Sequence, residues 1–241
     1  VQAAAIAAAP ASATAHGAYD RLGRPVRECR PGRQTACELQ RLVCERSVVQ
    51  HPVDDIYAAT WQVMIAKSED FYRRFPGDRD RVRELSALCA EGRISLPNGD
   101  LVSPERFRTI GHRLGMQSGA EAVHYLLGLD HTSSAFAHDL AGALPFEARN
   151  PLYAVLHESS YADGVATRWS AERTMPDRVR EDVTLLGGEH IHRSVFAEDA
   201  GLRPFADVAD LLAEHEWNQL YFPERLARAD VPVAAAVYHA D

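Results

Sequence analysis

The segment VDDIYAATWQVMIAKSEDFYRRFP, residues 53–76, decides how this chain is read. Tyr57, Trp61, Met64, Phe71, Tyr72 and Phe75 recur at three- and four-residue intervals, which gathers them on one face of a helix. Asp54 and Asp55 open the run, where negative charge offsets the helix macrodipole, and Pro76-Gly77 ends it. Working outward, Val82, Leu85, Leu88 and Cys89 predict a second helix that stops at Gly92. Residues 94–96 and Leu101 flank Pro97-Asn98-Gly99-Asp100, a tight-turn signal for a short hairpin. Ser103-Pro104 predicts a helix start, with Ser as N-cap and Pro at the first helical position. Ser118 to Glu121 reads as a capping box ahead of Val123, Leu126 and Leu127, and Ser133 or Ser134 as the next cap. Asn150-Pro151 opens a helix through about Tyr161, another passes through Trp169, and Pro204 opens one carrying Phe205, Val208, Leu211 and Leu212.

The two ends read differently. Residues 1–50 are Ala- and Arg-rich with little apolar periodicity, an irregular or disordered segment; Ala13-Thr14-Ala15 resembles a signal-peptidase site but lacks a basic region before it. Residues 231–237 form a Val-rich apolar run that suits a buried strand of a parallel sheet. A lone buried strand leaves its backbone groups unpaired, so the chain is expected to be a piece of a larger protein. The expected fold class is mainly α, with one small hairpin and one terminal strand.

Composition narrows function. The chain has 241 residues, 46% hydrophobic and 25% charged, with a formal net charge of -8. That acidity, without a basic stripe, argues against nucleic acid as a partner, and no run of 18 apolar residues suggests a membrane span. The four cysteines match no zinc spacing, Cys89 reads as a core residue, and a reduced cytoplasmic setting is the default. No Gly-x-Ser-x-Gly elbow, phosphate loop or dinucleotide fingerprint occurs, so neither a cofactor nor a nucleophile is predicted. His157-Glu158 lacks the second histidine of a metalloprotease helix, and His190 and His192 beside Glu189 fall short of three spaced ligands, so no metal is expected. Three carboxylates stand out by position: Glu158 at the edge of an apolar helix face, Glu189 after Gly187-Gly188, and Asp241 just beyond the apolar run. Each alone reads as a solvated side chain.

From about His51 to Asp241 the sequence resembles the helical cap, and the strand that follows it, of the larger type of proline iminopeptidase, an α/β-hydrolase. The stretches that carry the resemblance run from Pro52 to Thr60, Leu96 to Asp100, Arg106 to Arg108, Leu114 to Met116, His124 to Leu127, Asn150 to Glu158, Ala166 to Arg173, Gly188-Glu189 and Pro232 to Tyr238. The resemblance implies residues 51–230 as a cap domain and 231–241 as the return to the hydrolase core. It implies a serine aminopeptidase that releases N-terminal proline from peptides, with Asp241 as triad acid. Glu158 and Glu189 would hold the substrate's ammonium group, while Tyr153, Tyr161 and Trp169 would wall the proline ring. The elbow serine expected before residue 51 is missing, and after Glu189 the family is more apolar than His190, His192 and Arg193. The chain alone is therefore expected to be inactive. A non-catalytic helical peptide-binding or structural module is the alternative.

Overall fold

The aromatic face read from residues 53–76 becomes helix α1, Val53–Arg74, with Tyr57, Trp61, Met64, Ile65, Phe71 and Tyr72 buried. The Phe75 N–H bonds back to the Phe71 carbonyl before Pro76 stops the turn. The computed structural model describes residues 52–222 together with 224, 225 and 228, and Pro52–Asn218 falls within one compact unit. The irregular segment expected over 1–50, the strand expected at 231–237, and Asp241 lie outside the described residues.

Helix α2, Asp78–Ala90, buries Val82, Leu85, Leu88 and Cys89 and turns out at Gly92, whose φ of 68° favours glycine. The predicted hairpin is present in minimal form: Ser95 and Leu101 make one antiparallel bridge around Gly99. No longer strand occurs among the described residues, and the fold is mainly helical. Ser103 caps α3, Pro104–Arg108, by accepting the Arg106 N–H, and a 3₁₀ turn, Thr109–Gly115, follows. Next come α4, Gly119–Gly128, and α5, Ser134–Ala143, the latter capped by Ser133. These helices enclose the largest apolar cluster, around Phe107, Ile110, Leu126, Phe136 and Leu140.

The second half is built of shorter pieces: α6, Pro151–Leu156, capped by Asn150; a 3₁₀ turn, Glu158–Tyr161; α7, Ser170–Arg173; α8, Asp177–Glu181; α9, Val195–Glu198; and α10, Ala206–Glu214. Their core is Phe146, Val155, Ile191, Phe196 and Leu202.

Three local expectations are corrected. Ser118 forms no capping box: it sits at φ 59° and its side chain makes no cap bond. The chain is pinched there, since a Cβ on Gly119 would lie 1.6 Å from the Arg113 carbonyl oxygen, and that closeness dictates the left-handed residue before it. Trp169 is not inside a helix. With Arg168 it forms a left-handed pair that feeds the start of α7. On α10 the buried residues are Ala209 and Ala213, while Val208 and Leu211 face solvent at 48% and 66% exposure. Phe205 and Leu212 of the expected face do pack, partly buried, against the same core.

One buried ion pair ties the halves of this unit together. Arg106 Nη2 donates to Asp199 Oδ2 at 2.6 Å, with both side chains below 5% exposure. Asp199 Oδ1 also accepts the N–H groups of Gly201 and Leu202. Removing one partner strands a buried charge, so Asp199→Ala is expected to cost about 3–5 kcal/mol in urea unfolding. Glu121→Ala, which breaks the solvent-exposed Arg74–Glu121 pair, is expected to leave the urea midpoint nearly unchanged.

Candidate functional site

Polar residues on the buried face of α1 place the site. Tyr72 donates to the Thr184 carbonyl at 2.6 Å, and the Ser68 hydroxyl accepts the Leu186 N–H at 3.0 Å. Met64 lies under Gly188, where a Cβ would come within 3.3 Å of its sulfur, and Thr60 meets His190 Nε2 at 2.9 Å. Four helix positions spaced by four thus meet four segment positions spaced by two, running antiparallel. The spacing matches because four helical residues rise about 6 Å, close to the span of two residues of stretched chain. Glu189 sits between the last two anchored positions.

His190 locks that end. The Gly188 N–H donates to its Nδ1 at 3.0 Å, so the ring proton is on Nε2 and donates to Thr60, whose hydroxyl donates onward to the Tyr57 carbonyl. The imidazole stacks on Trp61 with ring centroids 3.7 Å apart. Burial pushes its pKa down to about 3. His157 and His192 are lowered in the same direction, again first by burial. His157 Nε2 lies 2.9 Å from the Glu189 carbonyl oxygen, which fixes it as donor there. The loop carrying Glu189 is therefore held by two neutral histidines and a helix.

Around it lies a pocket lined by Ile56, Tyr57, Thr60, Met64, His157, Tyr161, Gly188, Glu189 and His190. Its water-accessible volume is ≈ 20 Å³, room for a water or the head of an ammonium group. Tyr57 and Tyr161 meet edge to face at 5.8 Å. Burial pushes the Tyr57 phenol well above its ordinary pKa, and the charges of Glu158 and Glu189 push the same way. Both carboxylates thus act on one phenol.

The two acids differ in kind. Glu158 is 6% exposed, and its two oxygens accept the first N–H groups of α7: Ser170 at 3.0 Å and Ala171 at 2.8 Å. It is an interior cap for a helix whose preceding left-handed residue supplies none. Burial raises its pKa, opposed by those N–H groups and the nearby Thr167 hydroxyl. Glu189 is only partly buried and lines the pocket, with its carboxylate beside the Tyr153 phenol.

Tyr161 lines the pocket. Tyr153 flanks it: burial and then the Glu189 carboxylate raise its phenol pKa, and its ring meets His157 edge to face at 5.2 Å. Trp169 stands apart, its indole donating to Asp210 and its ring lying against Phe196. Sequence reasoning placed Tyr57 only on a packing face, weighed His157 and His190 as metal ligands, and did not single out Thr60. One signal was available: Thr60 and Ser68 interrupt an otherwise apolar helix face, and a buried hydroxyl there must have a partner. Among the described residues no group of three metal-ligating side chains occurs, and no helix is long and apolar enough to cross a membrane.

No family model matches the chain. Two curated proteins are similar to it. A proline iminopeptidase of Aeromonas sobria is 34% identical over 203 residues, covering 78% of this chain and 46% of that protein. The proline iminopeptidase aneH of Aspergillus aculeatus is 30% identical over 187 residues, covering 72% of this chain and 42% of that protein. The chain spans less than half the length of the relatives it matches.

The neutral histidines make a pH prediction. In the unfolded chain each takes up a proton near pH 6.5, whereas the buried rings resist, so the unfolded state binds more protons and stability falls as pH falls. Between pH 6.5 and 5, His190 alone is expected to remove about 2 kcal/mol. Urea unfolding at pH 7 and pH 5 checks this, and equal stability at both would show that the rings charge freely in the folded protein.

Proposed function

From its homology to the proline iminopeptidases, we propose that this chain is the substrate-recognising helical cap of a prolyl aminopeptidase of the α/β-hydrolase fold. Its pocket would receive the free amine of a peptide that begins with proline. The observation that supports the proposal is Glu189 on the wall of an aromatic pocket large enough for an ammonium head, where the buried Glu158 charge also acts on the Tyr57 phenol. An exopeptidase has to measure distance from a free amino end. A carboxylate in a half-buried aromatic pocket does so, because a charge-assisted N–H···O bond is lost when the amine is acylated.

The geometry refines the roles of the two acids. Glu189 is the direct anchor. Glu158, with its oxygens on Ser170 and Ala171, supports from behind: it adds negative potential and fixes α7 against α1 through Ala171 and Trp61. Tyr161 and Tyr153 supply the apolar wall, while Trp169 acts only by packing α10. The pocket opens further when the proline ring enters, since ≈ 20 Å³ holds the ammonium but not the ring.

Hydrolysis in this family type would run through a serine nucleophile, a general-base histidine and an acid, with an oxyanion hole for the tetrahedral intermediate. This chain carries no serine on the elbow pattern, and Asp241 is its candidate for the acid. Recognition rather than bond cleavage is its contribution, and the purified 241-residue chain is expected to release no arylamine from a prolyl-arylamide.

Titration of the chain with a proline-headed tripeptide, followed by NMR or calorimetry, tests the proposal. Binding is expected for the free peptide and none for its N-acetylated form. Glu189→Gln is expected to weaken binding by about 10-fold or more with little change in stability. Glu158→Gln is expected to lower stability by about 1–3 kcal/mol, because an amide offers one acceptor oxygen to two backbone N–H groups. Equal binding of the free and acetylated peptides would remove the amine anchor.

A further inference from the structure

We infer that Tyr57 is a specificity-determining residue of this pocket: its phenol oxygen accepts a hydrogen bond from the ligand's amine, and with the Glu189 carboxylate it selects a secondary over a primary ammonium. The inference rests on the amine-anchor reading above and narrows it.

Tyr57 is 3% exposed and lines the pocket, yet among the described residues its hydroxyl has no hydrogen-bond partner. A buried hydroxyl left unpaired costs free energy and is rare in folded proteins, so its presence at a pocket wall marks a group that a ligand completes. Packing does not need the oxygen. The ring is already held by Tyr161 and His190, each 5.8 Å away, and by the cluster of Val53 and Ala171.

The neighbouring polar groups are committed elsewhere. Thr60 accepts from His190 and donates to the Tyr57 carbonyl. His190 uses both ring nitrogens, His157 Nε2 is on the Glu189 carbonyl, and the Glu158 oxygens hold the start of α7. Of these residues, the Tyr57 hydroxyl and the Glu189 carboxylate oxygen not taken by the Tyr153 phenol keep accepting capacity. The Tyr57 phenol stays protonated, and its oxygen keeps a lone pair to offer an amine.

Two acceptors suit a particular head group. The ammonium of an N-terminal proline is secondary and carries two N–H bonds, one for each acceptor. A primary ammonium carries three, and the third would be left unpaired in a tight aromatic pocket. The arrangement therefore selects by counting N–H bonds as well as by the shape of the ring.

The test uses the full chain, with L-prolinamide, N-methyl-L-alaninamide and L-alaninamide as probes in calorimetric or NMR titrations. Tyr57→Phe is expected to weaken L-prolinamide about 10-fold and to bring the affinities of the two alaninamides together. Its unfolding midpoint in urea is expected to stay the same or rise, because the variant removes an unpaired buried hydroxyl. Loss of binding with preserved stability is a signature that a merely structural tyrosine would not give. Binding of L-prolinamide by Tyr57→Phe as tight as by the parent, with binding lost in Glu189→Gln, would overturn the role of Tyr57 alone and leave a water as the hydroxyl's partner. Destabilisation by Tyr57→Phe would overturn it as well, by revealing a structural bond. Failure of the parent chain to bind L-prolinamide would overturn the amine anchor itself and this inference with it.

Discussion

The register between α1 and residues 184–190 is the constraint on which the site depends. Tyr72, Ser68, Met64 and Thr60 occupy successive turns of one helix face and meet Thr184, Leu186, Gly188 and His190 in order. Slipping this alignment by one residue would point the hydroxyls of Ser68 and Thr60 at apolar neighbours and leave backbone groups unpaired in the core. The position of Glu189 follows from it, because the residues on either side of it are both held. The glycines at 187 and 188 suit the same packing. Trp61 lies 3.6 Å from where a Gly187 Cβ would be, Met64 is closer still to Gly188, and the Gly187 N–H bonds to the Arg108 carbonyl.

The buried charges divide between architecture and function in a way their identities conceal. The Arg106–Asp199 pair and the Glu158 cap both lie in the interior, where the Asp199 and Glu158 oxygens are taken up by protein groups. A charge satisfied internally holds backbone in place, whereas a charge left facing a pocket, as at Glu189, is available to a ligand. Glu158 belongs mostly to the first kind but influences the second, since its field reaches the Tyr57 phenol. The histidines add rigidity without charge. His190 bridges Gly188 to Thr60, and as a neutral ring it does not repel an incoming ammonium.

Homology to proteins more than twice as long as the matched region gives this arrangement a context. The stretches 150–158 and 166–173, which carry the family resemblance, supply His157, Glu158 and the helix that Glu158 caps. A unit that recognises a free amine while bond cleavage is carried out elsewhere fits a pocket with a carboxylate and phenols but no elbow serine. Under the proposed reading, the anchoring of one loop by so much local structure has a reason: a ruler for the first residue of a peptide works only if its zero point is fixed.

Much of the fold was legible from local chemistry. The periodicity of residues 53–75 identifies α1 and its buried face, and the caps at Ser103, Ser133 and Asn150 act as their residue types and the following Pro or apolar runs imply. These are interactions within four residues, so the sequence specifies them without knowledge of the rest. It also singled out Glu158 and Glu189, although only by resemblance. Tertiary contact alone decided the remainder. Ser118 and Trp169 take left-handed backbone at the starts of their helices, and α10 turns Ala209 and Ala213 fully inward while Leu212 packs only partly against the core. Which carboxylate is consumed by backbone and which opens on a pocket depends on groups 12 to 130 positions apart in the chain. No local pattern encodes that distinction, because a side chain's hydrogen-bonding capacity is visible in its sequence while the partner that uses it is set by packing.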